Sequence, residues 1–177
     1  MSRAEALAAD LVSSYTRFAE YLEGLSAEQW RRPAVNHPEV VMGEDEKRPV
    51  GVLAHHVGDT IPMFAERARR IAEGDPMDPI TTAEMDAANA RHAAANARPD
   101  QAETVAMIRD NLGRAADMIQ RLSDADLGRT GAGAVSSFTA EQLIQRVLIG
   151  HVKWHEGSIR AALEESSSPA GPRSQTG

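Results

Sequence analysis

The stretch AEQLIQRVLIGHVKWHEGSIR, residues 140–160, decides the fold because its apolar residues recur with the period of an α-helix. At about 100° per residue, one face collects the apolar side chains and the other collects the charged ones. The inward face comprises Ile144, Val147, Leu148, Ser158, Ile159 and Ala162. His151 and His155 fall in the middle of that face. The sequence therefore predicts an amphipathic helix, from about Thr139 to Leu163, that points two imidazoles at the core.

Two imidazoles one helical turn apart on a core-facing surface are suited to bind one metal ion. Burying two unpaired polar rings costs on the order of a few kcal/mol, and coordination removes that cost. A single inward histidine is more often a satisfied core residue, so the metal hypothesis depends on the pair. Because the chain has no cysteine, thiolate sites are excluded and the ligands must be His, Asp or Glu.

A third ligand is predicted in an earlier helix that begins near Pro49 and ends at Gly74-Asp75-Pro76. Its apolar stripe consists of Val50, Leu53, Val57, Ile61, Phe64, Ala68 and Ile71. Adjacent residues point about 100° apart, so only one of His55 and His56 can face a site between helices. His56 flanks the stripe whereas His55 lies almost opposite it, so His56 is the predicted ligand and a contribution from His55 stays open.

Three neutral imidazoles, from His56, His151 and His155, would leave a tetrahedral Zn²⁺ with one open position for water or substrate. Zinc is the first expectation among divalent metals, although Ni²⁺ or Fe²⁺ would accept the same ligands. Asp59, one turn beyond His56, is expected to orient a ligand ring. Pro62 lies inside the same helical pattern and removes one backbone donor, which predicts a kink near Gly58.

For the rest of the chain, the sequence predicts further helices joined by loops. Helices are predicted at about residues 3–24, 82–97 and 101–122, with a short turn after Ser26 and a cap at Asp100. Loops are predicted at 31–49, as a crossover or lid, and from Gly128 to Ser137. These lengths predict an all-α four-helix bundle, residues 1–165, with an extra helix in the middle connection and a disordered polar tail, residues 166–177.

Composition agrees with this fold and excludes some partners. Aromatic residues make up 4% of the chain and alanine is the commonest apolar residue, which favours helices over strands. A net charge of −7 disfavours a nucleic-acid partner. No apolar run approaches the roughly 20 residues needed to span a bilayer, and the N-terminus has no apolar signal core. The expectation is a cytoplasmic protein without a membrane partner.

The order of these motifs resembles that of the DinB-like superfamily, whose members are regarded as metalloenzymes. The resemblance combines Leu25-Ser-Ala-Glu-Gln-Trp30, then Val50-x-x-Leu53-x-x-His56-Val57-Gly-Asp59, then His151-x-x-x-His155, and spans about residues 4 to 164. The superfamily includes the metal-binding domain of mycothiol-dependent maleylpyruvate isomerases and related bacillithiol transferases. The resemblance implies an up-up-down-down bundle with a three-histidine metal site, and places the first ligand on His56.

The resemblance leads to three functional hypotheses for a small-molecule substrate. The first is a metal-dependent transferase or isomerase that uses mycothiol or another low-molecular-weight thiol. The others are a non-catalytic metal-binding or stress-response protein and a metal-dependent hydrolase, although no general base for hydrolysis is evident. Asn89 and His92 share one face of the middle helix, where they would either line the pocket or be solvated. Members of the superfamily often dimerise, so a homodimer is also expected.

Overall fold

The computed structural model describes residues 1–34, 48–75, 77–132 and 137–164. The prediction of an all-α protein is confirmed, because helices dominate these residues and a two-stranded hairpin is the one sheet that they form. In chain order the elements are α1 (Arg3–Glu23), α2 (Ala27–Arg31), α3 (Val50–Glu73), α4 (Thr82–Ala95), α5 (Gln101–Gln120), α6 (Asp124–Gly128), β1 (Thr130–Ala132), β2 (Ser137–Thr139), α7 (Ala140–Gln142), a π-helical segment (Leu143–Ile149) and α8 (Gly150–Glu164). Most of the loop predicted at 31–49 lies outside the described residues, and so does the whole tail predicted at 166–177.

The core lies between α1, α3, α5 and the last helical stretch, which runs from α7 through the π-helical segment to α8. The largest fully buried side chains include Tyr15, Phe18, Leu53, Ile108 and Ile144, and they come from all four of these stretches. The extra helix predicted in the middle connection is α4, and it has no buried residue. No helix among the described residues is both long and apolar enough to cross a membrane.

Local signals set the helix ends that were predicted from sequence. Ser26 and Gln29 form a capping box at the start of α2, and the Asp100 side chain accepts a hydrogen bond from the Glu103 backbone amide at the start of α5. Helix α3 ends at Gly74, whose φ of 76° lies in the left-handed region that glycine adopts without strain.

Helix α3 continues through Pro62 because another helix supplies the missing donor. Proline has no amide hydrogen, so the carbonyl of Gly58, four residues earlier, loses its helical partner. The Asn111 side-chain amide of α5 donates to that carbonyl at 2.9 Å. Gly58 also lets α5 approach closely, since a Cβ atom there would lie 2.7 Å from Ile108 and from Met107. These contacts fix the half of α3 that carries the two histidines against α5.

Replacing Asn111 by leucine is expected to lower the free energy of unfolding by about 1 to 3 kcal/mol, because the buried Gly58 carbonyl would lose its donor. A Pro62→Ala background restores the backbone amide of residue 62, so the same substitution should cost less there. Urea unfolding of the four proteins in this cycle measures the difference. Equal losses with and without Pro62 would contradict the assigned role of Asn111.

The segment from Gly128 to Ser137 is not simply the loop that its glycines predicted. Strand β1 lies within this segment and strand β2 begins at its last residue. The two strands pair antiparallel, with Gly131 opposite Phe138. Gly131 lies against Ile71 of α3, where a Cβ atom would be 2.9 Å from the isoleucine side chain. This close approach of the backbone to α3 is a tertiary contact that local glycine content does not reveal.

The periodicity of the last helix predicted a continuous α-helix, but part of this helix has a different hydrogen-bond pattern. Residues Leu143–Ile149 form a π-helix, and the Gly150 amide donates to the Gln145 carbonyl five residues earlier. The buried Tyr15 hydroxyl of α1 donates to the carbonyl of Leu148 at 3.0 Å. The π-helical segment immediately precedes α8, so it sets the rotation with which His151 and His155 enter the core.

Candidate metal centre

Three imidazoles from two helices converge on one point inside the bundle. The Nε2 atom of His151 lies 3.2 Å from Nε2 of His56 and 3.1 Å from Nε2 of His155. All three ligand atoms lie within 4.8 Å of one another. The structure thus brings together the three residues that the sequence predicted as metal ligands, with His56 rather than His55 contributed by α3.

The spacing of these nitrogens suits a metal ion. In a tetrahedral zinc site, with Zn–N bonds of about 2.0 to 2.1 Å, neighbouring ligand nitrogens lie about 3.3 Å apart. The two Nε2 separations of 3.1 and 3.2 Å are close to that value. Within the described part of the chain, no other group of three or more His, Asp or Glu side chains is placed to hold an ion. The cluster can therefore hold a metal ion with three protein ligands.

The cluster is buried enough to keep all three rings neutral. Only 7% of the surface of His56 and 8% of that of His151 is exposed to solvent. Burial, assisted by the neighbouring histidines, lowers the pKa of His56 to about 3 and lowers the pKa of His151 well below its usual value. Burial also lowers the pKa of His155 to about 4. Neutral imidazoles keep the lone pair that a metal requires.

Thr60 determines which nitrogen of His151 carries the proton. The Thr60 hydroxyl donates to the backbone carbonyls of His56, at 2.9 Å, and Val57, at 3.2 Å. Its oxygen lies 3.4 Å from Nδ1 of His151, and it accepts there as long as its single hydrogen is donated to these carbonyls. We therefore assign the proton of His151 to Nδ1, which leaves Nε2 bare and directed at the other two rings. A half-buried threonine mid-helix gives no sequence signal of this role.

Asp59 does not orient a ligand ring, contrary to the prediction from sequence. Its side chain is 57% exposed, and its carboxylate lies 3.9 Å from Nε2 of His92, which is outside the cluster. On α3, Asp59 is rotated by about 100° from Thr60, so the two side chains face different neighbours. The role predicted for Asp59, to contact and orient a ligand ring, belongs instead to Thr60, which contacts His151.

A Thr60→Val substitution is expected to weaken zinc affinity by about 10- to 100-fold, since it removes the acceptor that fixes the His151 ring while keeping the side-chain shape. Thr60→Ser keeps the hydroxyl and should bind zinc nearly as the native protein does. Competition with a chromophoric chelator measures both affinities. Equal affinities for the valine and serine variants would exclude the hydroxyl from this role.

A second imidazole pair lies beside the cluster. Nδ1 of His55 is 2.9 Å from Nε2 of His92, and the centroid of the His92 ring is 5.3 Å from that of His56. His55 is thus turned away from the three converging nitrogens and towards α4. Asn89, predicted with His92 as a pocket residue, is half-buried one turn earlier on α4.

A positive charge lies near both groups of histidines. The backbone on either side of residues 35–47 is joined by an antiparallel bridge between Pro33 and Pro49, and the Ala34 amide donates to the Arg48 carbonyl at 2.8 Å. Besides burial, the Arg48 charge contributes to the lowered pKa of His56, His155 and His92. Arg48 therefore adds to burial in keeping these imidazoles neutral.

Comparison with known families gives one match that covers most of the chain. The sequence profile of the DinB superfamily matches residues 10–159, a range that includes α3, α4 and the three clustered histidines. Comparisons with curated proteins and with solved structures gave no significant match. The extent of the profile match, together with the helical fold and the three-histidine cluster, shows that this chain belongs to the DinB superfamily.

Proposed function

We propose that this protein is a metal-dependent transferase or isomerase that binds a low-molecular-weight thiol, such as mycothiol, at a zinc ion held by His56, His151 and His155. The observation that carries the proposal is the convergence of three neutral imidazole nitrogens on one point, two of them from buried residues and the third from the half-buried His155. Sites with three protein ligands and an open position are typical of catalytic zinc, whereas structural zinc sites have four protein ligands.

The thiol has to come from outside the chain, because the sequence contains no cysteine. When bound, zinc would lower the pKa of a coordinated thiol and so supply a thiolate nucleophile at neutral pH. The resemblance to mycothiol-dependent isomerases and bacillithiol transferases supports this choice of cofactor.

The protein's own residues have separate parts in this proposal. The three imidazoles hold the ion, and Thr60 fixes the tautomer of His151. Phe64 packs edge-on against the His151 ring, with centroids 5.4 Å apart, and so limits its rotation and the access of water. These fixed rings would hold an ion, and a thiol bound to it, in one orientation.

Thermal unfolding of the zinc-loaded protein with and without mycothiol tests the proposal. Binding at a ligand concentration of about 100 times Kd should raise the Tm by roughly 5 to 10 °C. The same addition should not change the Tm of a His151→Ala variant. Mass spectrometry of mycothiol incubated with a model electrophile, such as monochlorobimane, should show faster conjugate formation with the loaded protein than without it.

Two outcomes would favour another function. Tight zinc binding without any effect of mycothiol, bacillithiol or glutathione would support the non-catalytic metal-binding hypothesis. Nickel or iron as the predominant metal in the purified protein would overturn the choice of zinc, since softness of the ligands does not decide among these ions.

A further inference from the structure

The side chain of His92 is buried although the helix that carries it is not. Helix α4 has no buried residue, yet the His92 side chain retains only 9% of its exposure. Its ring lies edge-on to His56, with 70° between the ring planes. The helix therefore inserts this one imidazole between itself and the metal cluster.

Of the two ring nitrogens of His92, one has a hydrogen-bond partner among the described residues and the other has none. Nε2 pairs with Nδ1 of His55 at 2.9 Å. Nδ1 is buried, and among the described residues it has no hydrogen-bond partner. A buried polar atom without a partner costs free energy, and in functional sites it often marks the position of a bound group.

The neighbours of His92 decide which kind of group its Nδ1 would bind. The Asp59 carboxylate lies 3.9 Å from Nε2, and its negative charge favours the tautomer with the proton on that nitrogen. With the proton on Nε2, donated to Nδ1 of His55, the Nδ1 atom of His92 is a bare acceptor. It would pair with a hydroxyl or an amide N–H group.

We propose that His92 is a ligand-contacting residue, whose Nδ1 atom accepts a hydrogen bond from a hydroxyl or amide group of the molecule bound at the three-histidine centre. This inference rests on the proposed metal site and defines its ligand further. The ligand carries one atom that coordinates the ion and, within the same small molecule, a hydrogen-bond donor for His92. His55 and Asp59 act as positioning residues, because they hold His92 in the accepting tautomer.

A matched pair of thiols tests the contact. In the cobalt-loaded protein, the sulfur-to-cobalt absorption band gives the Kd of 1-thioglycerol and of 1-propanethiol, which has the same carbon chain without hydroxyls. The native protein should prefer 1-thioglycerol by about fivefold or more, the value of one hydrogen bond. A His92→Phe variant should lose this preference while its cobalt affinity stays within about twofold of native. Arg91→Ala, on the exposed side of α4, is the control and should behave as the native protein.

Other results would overturn the proposal in recognisable ways. An unchanged preference in His92→Phe would remove the contact, and a loss of cobalt affinity equal to the loss of ligand affinity would make His92 a support of the metal site instead. If neither thiol binds, the thiol function fails but the contact is still tested with 3-hydroxypropionate and butyrate, whose carboxylates replace the sulfur. Equal affinities for this second pair in the native protein would exclude the contact.

Discussion

Replacing His151 by alanine is expected to lower zinc affinity by more than about 100-fold, which exceeds the loss usually caused by removing a supporting residue. His151 is the central member of the cluster, since its Nε2 atom lies within 3.2 Å of the other two ligand nitrogens. Two histidines would remain, and the ion would have to complete its coordination with water. Isothermal titration of the metal-free protein with zinc measures the change.

His55→Ala is the matched control for this loss. His55 neighbours His56 in sequence but belongs to the second imidazole pair, in which its Nδ1 atom is directed at His92 rather than at the cluster. Zinc affinity in this variant should stay within about threefold of native, because no ligand is removed. Comparable losses in the His55 and His151 variants would show that the binding site is not the one described.

The metal-free protein is expected to lose on the order of 5 kcal/mol of stability between pH 7 and pH 5. The folded state holds the pKa of His56 at about 3 and that of His155 at about 4, and lowers the pKa of His151 well below 6.5. In the unfolded chain these groups take up protons below about pH 6.5, so the unfolded state binds more protons and gains stability as the pH falls. Each fully depressed group contributes about 1.4 kcal/mol per pH unit.

Urea midpoints of the metal-free protein across this pH range measure the effect. Stability should be constant above about pH 7, where the three groups are neutral in both states. A variant with leucine at positions 56, 151 and 155 should show a much flatter profile over the same range. A native profile that is flat from pH 7 to pH 5 would be incompatible with three imidazoles that the fold keeps neutral.

Helical periodicity predicted most of the fold, because it reports which face of each helix is buried. The stripe from Val50 to Ile71 placed α3 and selected His56 over its neighbour, and the spacing of His151 and His155 placed both on the inward face. Short-range signals were equally informative, since capping residues interact with backbone amides only a few positions away. Ser26 and Asp100 cap the helices that they were predicted to begin.

The contacts that sequence did not predict all connect distant parts of the chain. The donation from Asn111 to Gly58 and the close packing of Gly131 on Ile71 each depend on where a second element lies. The same holds for the pairing of His55 with His92, which joins α3 to α4. Periodicity within one helix carries no information on the partner across the interface, so these contacts could not be predicted from it.

The π-helical segment before α8 ties the length of the chain to the orientation of its last helix. A π-turn accommodates about one more residue than an α-turn, so the same residues 143–149 closed as an ordinary α-helix would rotate everything beyond them by about 100°. Tyr15 would no longer face the Leu148 carbonyl, and His151 and His155 would turn together out of the bundle interior. Deleting one residue from this segment would instead let it close as an α-helix while the two histidines keep their inward direction. Among relatives, chains that are one residue shorter here should therefore be α-helical throughout and still carry both histidines on the inward face.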